Sequence, residues 1–179
     1  MGRGRLIVRF RLSIRQATKK MLYESLTKEE QTKIEETASL LDLTEEYVRI
    51  KYSQQPLFSE IQRIFRSVTP TPGSVHETIA KIPQIHTIIT TNYDKCFEHA
   101  YGGNMEIVTK PVHTQYLNPG KPHLYKIHGD IDDPESMVIT SSQYREFFKA
   151  NENPIWSLVR SKMISNNILF IGYLLKMRT

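Results

Sequence analysis

The alternation of strand-like and helical segments after Pro83 constrains the fold of this chain more than any other feature. Runs rich in β-branched and other apolar residues predict strands at residues 85–91, 105–109, 123–128, 137–140 and 168–173. The last run is almost entirely apolar, which is typical of a strand that is buried on both faces. Because parallel strands must be joined by crossovers, which are usually helices, the alternation predicts an α/β fold with a mainly parallel sheet.

The first 70 residues are predicted to be helical. Thr27 and Glu30 have the spacing of a capping box, in which each side chain accepts a hydrogen bond from a backbone N–H at the start of a helix. Thr44 is predicted to cap a second helix. An apolar stripe at i, i+3, i+4 and i+7 predicts a third helix over residues 59–68.

A segment rich in proline and threonine, residues 69–73, is the best internal boundary. Residues 1–73 are therefore interpreted as a helical N-terminal part, and residues 74–179 as the α/β part. We expect the two parts to form one domain, because a chain of 179 residues is long enough for a single substantial core.

The net charge of +5 is concentrated at the N-terminus. Residues 1–23 carry seven of the 24 basic residues and no acidic residue, so the remaining chain, with 17 basic and 19 acidic residues, has a net charge of −2. No basic patch interleaved with aromatic residues occurs outside that segment. The composition therefore argues against a nucleic-acid partner.

A single cysteine, Cys96, excludes an internal disulfide framework and a four-cysteine zinc module, and it fits a reducing cytoplasm. His123 and His128 lie an odd number of residues apart on one predicted strand, which places them on opposite faces, and we predict no metal site. The longest near-continuous apolar run, residues 168–175, is far shorter than the roughly 20 residues that a membrane span needs. We therefore expect a cytoplasmic protein that has no membrane partner.

Polar residues and glycines follow three of the predicted strands at the point where each strand ends. The three sequences are Thr90-Thr91-Asn92-Tyr93-Asp94, Lys126-Ile127-His128-Gly129-Asp130 and Phe170-Ile171-Gly172-Tyr173. In open α/β sheets, ligands bind in the crevice beyond the carboxyl ends of the strands, so these residues are candidates for a site. Asn92 and Asp94 suit helix caps equally well, and His128 suits an ordinary packed position.

Four segments resemble, in order, motifs of the sirtuin-like (silent information regulator-like) family. They are HETIAKIPQIHTIITTNYD at residues 76–94, KIHGD at 126–130, ITSSQYREFF at 139–148 and NNILFIGY at 166–173. The similarity is greatest to the prokaryotic NAD-hydrolysing branch, which occurs in antiviral defence proteins. The resemblance implies a Rossmann-like domain that binds NAD as its substrate, cleaves the nicotinamide–ribose bond to give nicotinamide and ADP-ribose, and acts in antiviral defence.

The resemblance assigns catalysis to Asn92 and His128. An amide both donates and accepts hydrogen bonds, so Asn92 suits the ribose hydroxyls and the attacking water. The reaction also needs a base that works near neutral pH, and a histidine such as His128 suits that role. Asp94 would either hold the ribose or stabilise the positive charge that develops on the sugar. The positions assigned to NAD contacts are Thr90, Thr91, Asp94 and Gly172, together with Gly2 and Gly4 in a phosphate loop.

Both ends of the chain depart from the family's pattern. The family opens with a strand and a Gly-Ala-Gly-x-Ser loop that cradles phosphates, whereas Gly2-Arg3-Gly4 stands beside the initiator methionine with no strand before it. After Tyr173 the usual polar and acidic continuation is replaced by Leu174-Leu175. We therefore expect a truncated or frame-disturbed member that lacks the first strand of its sheet and is a weak or inactive enzyme.

Two alternatives remain open beside NAD hydrolysis. One is an inactive or degenerate fragment that binds NAD or ADP-ribose, and the other is an NAD-dependent protein deacylase. The single cysteine counts against the deacylase, because that branch carries a four-cysteine zinc module. The expected partners are NAD, a sensor domain that is either C-terminal or separate, and a second copy of the chain.

Overall fold

The computed structural model describes residues 5–8, 12–34, 39–66, 70–149 and 154–171. In chain order, the helices and strands are β1 (Arg5–Val8), α1 (Leu12–Glu24), α2 (Lys28–Gln31), α3 (Leu40–Lys51), α4 (Gln55–Arg66), α5 (Val75–Ala80), β2 (Thr87–Thr90), α6 (Cys96–Ala100), β3 (Glu106–Val108), β4 (His123–Lys126), α7 (Ser141–Phe148), α8 (Pro154–Ile164) and β5 (Ile168–Ile171). Two short 3-10 turns, Pro111–Tyr116 and Pro134–Ser136, lie between them.

The five strands form one sheet in the order β3-β4-β2-β1-β5, and every pair within it is parallel. Successive strand residues point to opposite faces. Ile88 and Leu124 pack with α5 and α6 on one face, whereas Ile89 and Tyr125 pack with α7 and α8 on the other. This three-layer arrangement confirms the predicted α/β fold with a Rossmann-like, mainly parallel sheet.

The prediction that the first strand is absent is wrong. Arg5–Val8 forms β1, which lies between β2 and β5, with Arg5 paired to Thr87 on one side and to Ile168 on the other. The signal in the sequence is short, because only Leu6-Ile7-Val8 is apolar and arginines flank it on both sides. Its place in the sheet therefore depends on pairing with distant strands, which local propensity does not report.

Two further strand predictions need correction. Strand β5 is at an edge of the described sheet, with Leu169 56% and Phe170 40% exposed, so it is not buried on both faces. Residues 137–140 form no strand. They run extended from the 3-10 turn to Thr140, which caps α7, and they still bury Met137 and Ile139.

Helices α1 to α4 form a layer whose apolar core includes the segment that follows β4. The core residues are Leu22, Leu26, Ile34, Leu43, Tyr47, Leu57, Phe58, Ile61, Ile64 and Phe65 from the helical part, with Ile131, Met137 and Ile139 from the α/β part. The predicted helical N-terminal part is thus present, although it includes β1. The boundary at residues 69–73 and the grouping into one domain stay predictions.

The helix caps are partly as predicted. Thr27 and Glu30 form the expected capping box before α2. Thr44 is not a cap: Ser39 caps α3, and Thr44 lies inside that helix, where its hydroxyl donates to the Ile139 carbonyl at 2.6 Å. No helix among the described residues is long and apolar enough to cross a bilayer.

Candidate active site

The two polar motifs start from paired residues of neighbouring strands. Thr90, the last residue of β2, is in register with Lys126, the last residue of β4. The N–H of Ile127 donates to the Thr90 carbonyl at 3.0 Å, which extends the pairing beyond the strands. Because the segments that follow β2 and β4 leave the sheet at the same edge, the loop bearing Asn92 and the turn bearing His128 lie side by side.

A cavity of about 90 Å³ lies at this edge. From the strand ends it is lined by Thr91, Asn92, Tyr93, Asp94 and His128. Its other wall comes mainly from the helical part and the segment before α7, namely Thr18, Leu40, Leu41, Thr44, Ile61, Phe65, Ile139 and Tyr144. The cavity therefore has a polar side built by the sheet and a largely apolar side built by the helices.

The structure brings four of the predicted site residues together at the cavity: Thr91, Asn92, Asp94 and His128. Thr90 is buried and is not among the lining residues; its hydroxyl accepts a hydrogen bond from the Asn92 N–H at 3.1 Å and so shapes the loop. Gly2, Gly4 and Gly172 lie outside the described residues, and their assignments stay predictions. In the chain, both Gly2 and Gly4 precede β1, whereas the cavity is at the carboxyl edge of the sheet.

Asp94 lies both at the cavity and at the start of α6. Asp94 is among the residues that line the cavity, and its Oδ1 accepts a hydrogen bond at 3.0 Å from the N–H of Cys96, the first residue of α6. The side chain is therefore held at the start of that helix. This arrangement fixes its orientation before any ligand binds.

His128 is 95% buried in an aromatic setting. Its ring meets the rings of Tyr144 and Phe147 edge to face, with centroids 5.0 and 5.4 Å away. Its carbonyl accepts a hydrogen bond from the Val138 N–H at 2.9 Å. Gly129 follows with a φ of +92°, so the backbone turns sharply just after the imidazole.

Tyr93 connects the Asn92 loop to the wall of the cavity. Its hydroxyl donates to the Val138 carbonyl at 2.6 Å, and its ring meets Phe65 of α4 edge to face at 5.8 Å. Val138 thus contacts both motifs: its N–H donates to the His128 carbonyl, and its carbonyl accepts from the Tyr93 hydroxyl. The segment that contains Val138 therefore supports both the Asn92 loop and the His128 turn.

A buried ion network lies beneath the same two motifs, and sequence reasoning missed it. Lys126 is fully buried, and its Nζ lies 3.0 Å from Glu98 and 2.8 Å from Asp130. Lys95 also contacts Asp130, at 2.7 Å. Burial alone would raise the pKa of Asp130, but the charge of Lys126 and hydrogen bonds from Lys126 and Lys95 hold this pKa below its usual value. The signal for this network in the sequence is the spacing of Lys126 and Asp130, which lie four residues apart on either side of His128.

His76, Asp94 and Cys96 form a second buried group, with potential ligand atoms within 4.8 Å of one another. These residue types can bind zinc, although the sequence predicted no metal. Burial, reinforced by the charge of Asp94, raises the pKa of the Cys96 thiol to about 12, and burial lowers the pKa of His76. The protein environment therefore favours the neutral thiol and the neutral imidazole.

The family model for the SIR2-like domain matches residues 86–176, which include both polar motifs. The chain belongs to the SIR2-like domain family. The match begins just before β2 and covers β2 to β5, together with the loop that bears Asn92 and the turn that bears His128. The helical wall of the cavity lies upstream of the matched segment.

Curated relatives extend the similarity into that upstream part. The chain is 30% identical to an NAD(+) hydrolase ThsA of Acinetobacter baumannii over 159 residues, which are 86% of this SIR2-like chain and 32% of the relative. It is 33% identical to the NAD(+) hydrolase ThsA of Cytobacillus dafuensis over 103 residues, 55% of this chain and 20% of that relative. The chain thus matches about a third or less of the length of these relatives.

Proposed function

We propose that this SIR2-like domain binds NAD at the cavity and hydrolyses its nicotinamide–ribose bond, giving nicotinamide and ADP-ribose. The observation that carries the proposal is the convergence of Asn92, Asp94 and His128 on one cavity beyond the ends of β2 and β4. The names of the curated relatives, each an NAD(+) hydrolase, support the same reaction. Action in antiviral defence within the cytoplasm is part of the proposal.

The chemistry needs three kinds of group. Cleavage of an N-ribosyl bond develops oxocarbenium-like charge on the sugar, as in other glycosyl hydrolyses. The Asn92 amide would hold a ribose hydroxyl and the attacking water, because it donates and accepts at once. His128 would accept a proton as the base, and the Asp94 carboxylate would face the developing positive charge. Nicotinamide leaves as a neutral molecule, so the leaving group needs no strong acid.

The size of the cavity supports binding of one end of the dinucleotide. Sites for whole cofactors measure roughly 300–1,000 Å³, whereas this cavity measures about 90 Å³. We infer that the nicotinamide and its ribose occupy the cavity, with the apolar wall of Ile61 and Phe65 against the ring. The phosphates and adenine would extend along the carboxyl edge of the sheet towards β1.

The decisive experiment incubates the purified chain with NAD and quantifies nicotinamide and ADP-ribose by chromatography. We expect His128→Ala to lower turnover by about 10²–10⁴-fold, the usual contribution of a general acid or base, and Asn92→Ala to lower it through misplaced water and ribose. His123→Ala is the matched control. His123 lies at the opposite end of β4, where its Nε2 contacts the Asn118 carbonyl.

The alternatives give different results in the same assay. Binding of ADP-ribose without any release of nicotinamide would support the binding-only fragment. Release of nicotinamide only when an acylated peptide is present would support the deacylase. Loss of activity in His123→Ala to the same degree as in His128→Ala would refute the assignment of the base.

A further inference from the structure

Lys126 places a buried positive charge between the Asn92 loop and the His128 turn. Its side chain is fully buried, and its Nζ contacts four oxygen atoms. Two are backbone carbonyls of the Asn92 loop: Tyr93 O at 2.9 Å and Asp94 O at 2.6 Å. The other two belong to the carboxylates of Glu98, at 3.0 Å, and Asp130, at 2.8 Å.

These contacts connect the two motifs through a single side chain. Lys126 is two residues before His128, and Asp130 is two residues after it, so their ion pair closes the turn that carries the imidazole. The same ammonium holds the loop immediately after Asn92 through the carbonyls of Tyr93 and Asp94. A shift of this nitrogen would move both walls of the polar side of the cavity.

We propose that Lys126 is a positioning residue, which sets the separation of Asn92 and His128 by holding the Tyr93 and Asp94 carbonyls against the end of β4. The proposal rests on the proposed hydrolysis of NAD, because it names what keeps those two residues in register for that reaction. Lys126 is fully buried and is not among the residues that line the cavity, so in this proposal it acts through the backbone of the Asn92 loop and not by contact with the substrate.

Packing alone does not explain a lysine at this position. Taking an ammonium and two carboxylates out of water carries a desolvation cost that well-packed apolar residues of similar volume avoid. A methionine would fill nearly the same volume without a charge. A methionine has no N–H group to donate to the Tyr93 and Asp94 carbonyls. A buried carbonyl that loses its hydrogen-bond donor destabilises the folded state.

Lys95 is the matched control, because it contacts the same two carboxylates from the outer side of the network. Its Nζ lies 2.7 Å from Asp130 and 3.6 Å from Glu98, and it also contacts Asp132 at 2.9 Å. Its side chain is 23% exposed. Within the described part of the chain its ammonium contacts carboxylates alone, so Lys95→Met disturbs the network without removing donors from the loop carbonyls.

The test compares Lys126→Met, Lys95→Met and the double variant Lys126→Met/Asp130→Asn. Turnover of NAD is measured as kcat and KM, and hydrogen–deuterium exchange of residues 91–96 is measured without ligand. Misplacement of reacting groups by about 1 Å costs roughly 100-fold, so we expect Lys126→Met to lose about that factor in kcat with little change in KM. Exchange in residues 91–96 should rise in Lys126→Met and stay near wild type in Lys95→Met.

The double variant separates positioning from charge balance. In Lys126→Met the buried Asp130 carboxylate loses one of its two positively charged partners, whereas in the double variant that charge is absent. The free energy of unfolding of the double variant should therefore lie closer to that of the wild type. Its kcat should remain low, because the loop carbonyls still lack their donors. Recovery of kcat in the double variant, or equal exchange in both lysine variants, would overturn the proposal.

Failure of the proposed function is distinguishable from failure of this inference. If the wild type releases no nicotinamide, NAD hydrolysis is refuted, yet the exchange comparison still decides whether Lys126 holds the Asn92 loop. Faster exchange confined to the variants without Lys126 supports the positioning role. Unchanged exchange in those variants refutes it, whatever the turnover.

Discussion

Replacement of Gly129 by alanine tests whether the backbone turn after His128 is as tightly built as the structure shows. The residue has a φ of +92°, a conformation that L-residues with a side chain rarely adopt. A Cβ atom at this position would lie 2.3 Å from the Ser136 carbonyl oxygen and 2.7 Å from the Met137 Cα. Both neighbours are backbone atoms, so no side-chain rotation relieves the contact.

The cost follows from two separate contributions. Holding a residue other than glycine at such a φ costs about 1–3 kcal/mol, and forcing extra atoms into a packed site costs about 1–3 kcal/mol more. We therefore expect Gly129→Ala to lower the free energy of unfolding by about 2–6 kcal/mol. At about 2–4 °C per kcal/mol for a chain of this size, the Tm should fall by about 4–24 °C.

Two other glycines separate these contributions in the same urea and thermal unfolding assay, followed by circular dichroism. Gly73 has a φ of +72° and no atom within 4 Å of the added Cβ, so Gly73→Ala reports the backbone term alone. At Gly120 the added Cβ would meet only the Asn118 side chain, at 3.2 Å, and the change should be small. If Gly129→Ala unfolds no earlier than Gly73→Ala, the close approach of the Ser136 backbone is refuted.

Three further outcomes are expected. Thr44→Val removes the buried hydrogen bond to the Ile139 carbonyl and should cost about 1–3 kcal/mol in urea unfolding; an unchanged midpoint would contradict that bond. Burial, partly offset by the charge of Asp94, lowers the pKa of His76 below 6.5, so the unfolded chain takes up a proton before the folded chain as the pH falls. The free energy of unfolding should therefore decrease below about pH 6.5 in the wild type, and it should decrease less in His76→Leu. Parallel curves of stability against pH for the two proteins between about pH 7.5 and 5.5 would exclude this linkage. Burial raises the pKa of the Cys96 thiol, so zinc would have to displace a strongly held proton at the group of His76, Asp94 and Cys96. We therefore expect dialysis against EDTA to leave the Tm unchanged, whereas one equivalent of zinc in elemental analysis together with a fall in Tm on chelation would show a metal site.

Local patterns predicted the parts of the molecule that local interactions build. The α/β alternation, the capping box at Thr27 and the strand ends bearing Asn92 and His128 are all features of contiguous sequence. Serine and threonine are common cap residues, so the choice between Ser39 and Thr44 depended on tertiary contacts: Thr44 turns its hydroxyl to Ile139, which is 95 residues away.

The cavity and the network beneath it depend on contacts between distant segments. The apolar wall comes from helices far upstream of the strand ends, and no periodicity indicates which helix face will cover a site. Lys126 resembles any charged residue at the end of a strand until the fold places two loop carbonyls within reach of its ammonium. The sequence resemblance supplied the candidate residues, whereas the means of holding them together became visible only in three dimensions.

The place of β1 between two strands that follow it in the chain has a consequence for synthesis on the ribosome. Arg5 pairs with Thr87 and with Ile168, so β1 is synthesised about 80 residues before one of its partners and about 160 residues before the other. At about 5–20 residues per second, its second edge stays unpaired for roughly 8–30 s, long enough for a nascent chain to meet another strand or a chaperone. A pause in translation before residue 168 would lengthen that exposure, and the yield of folded protein should depend on elongation speed there.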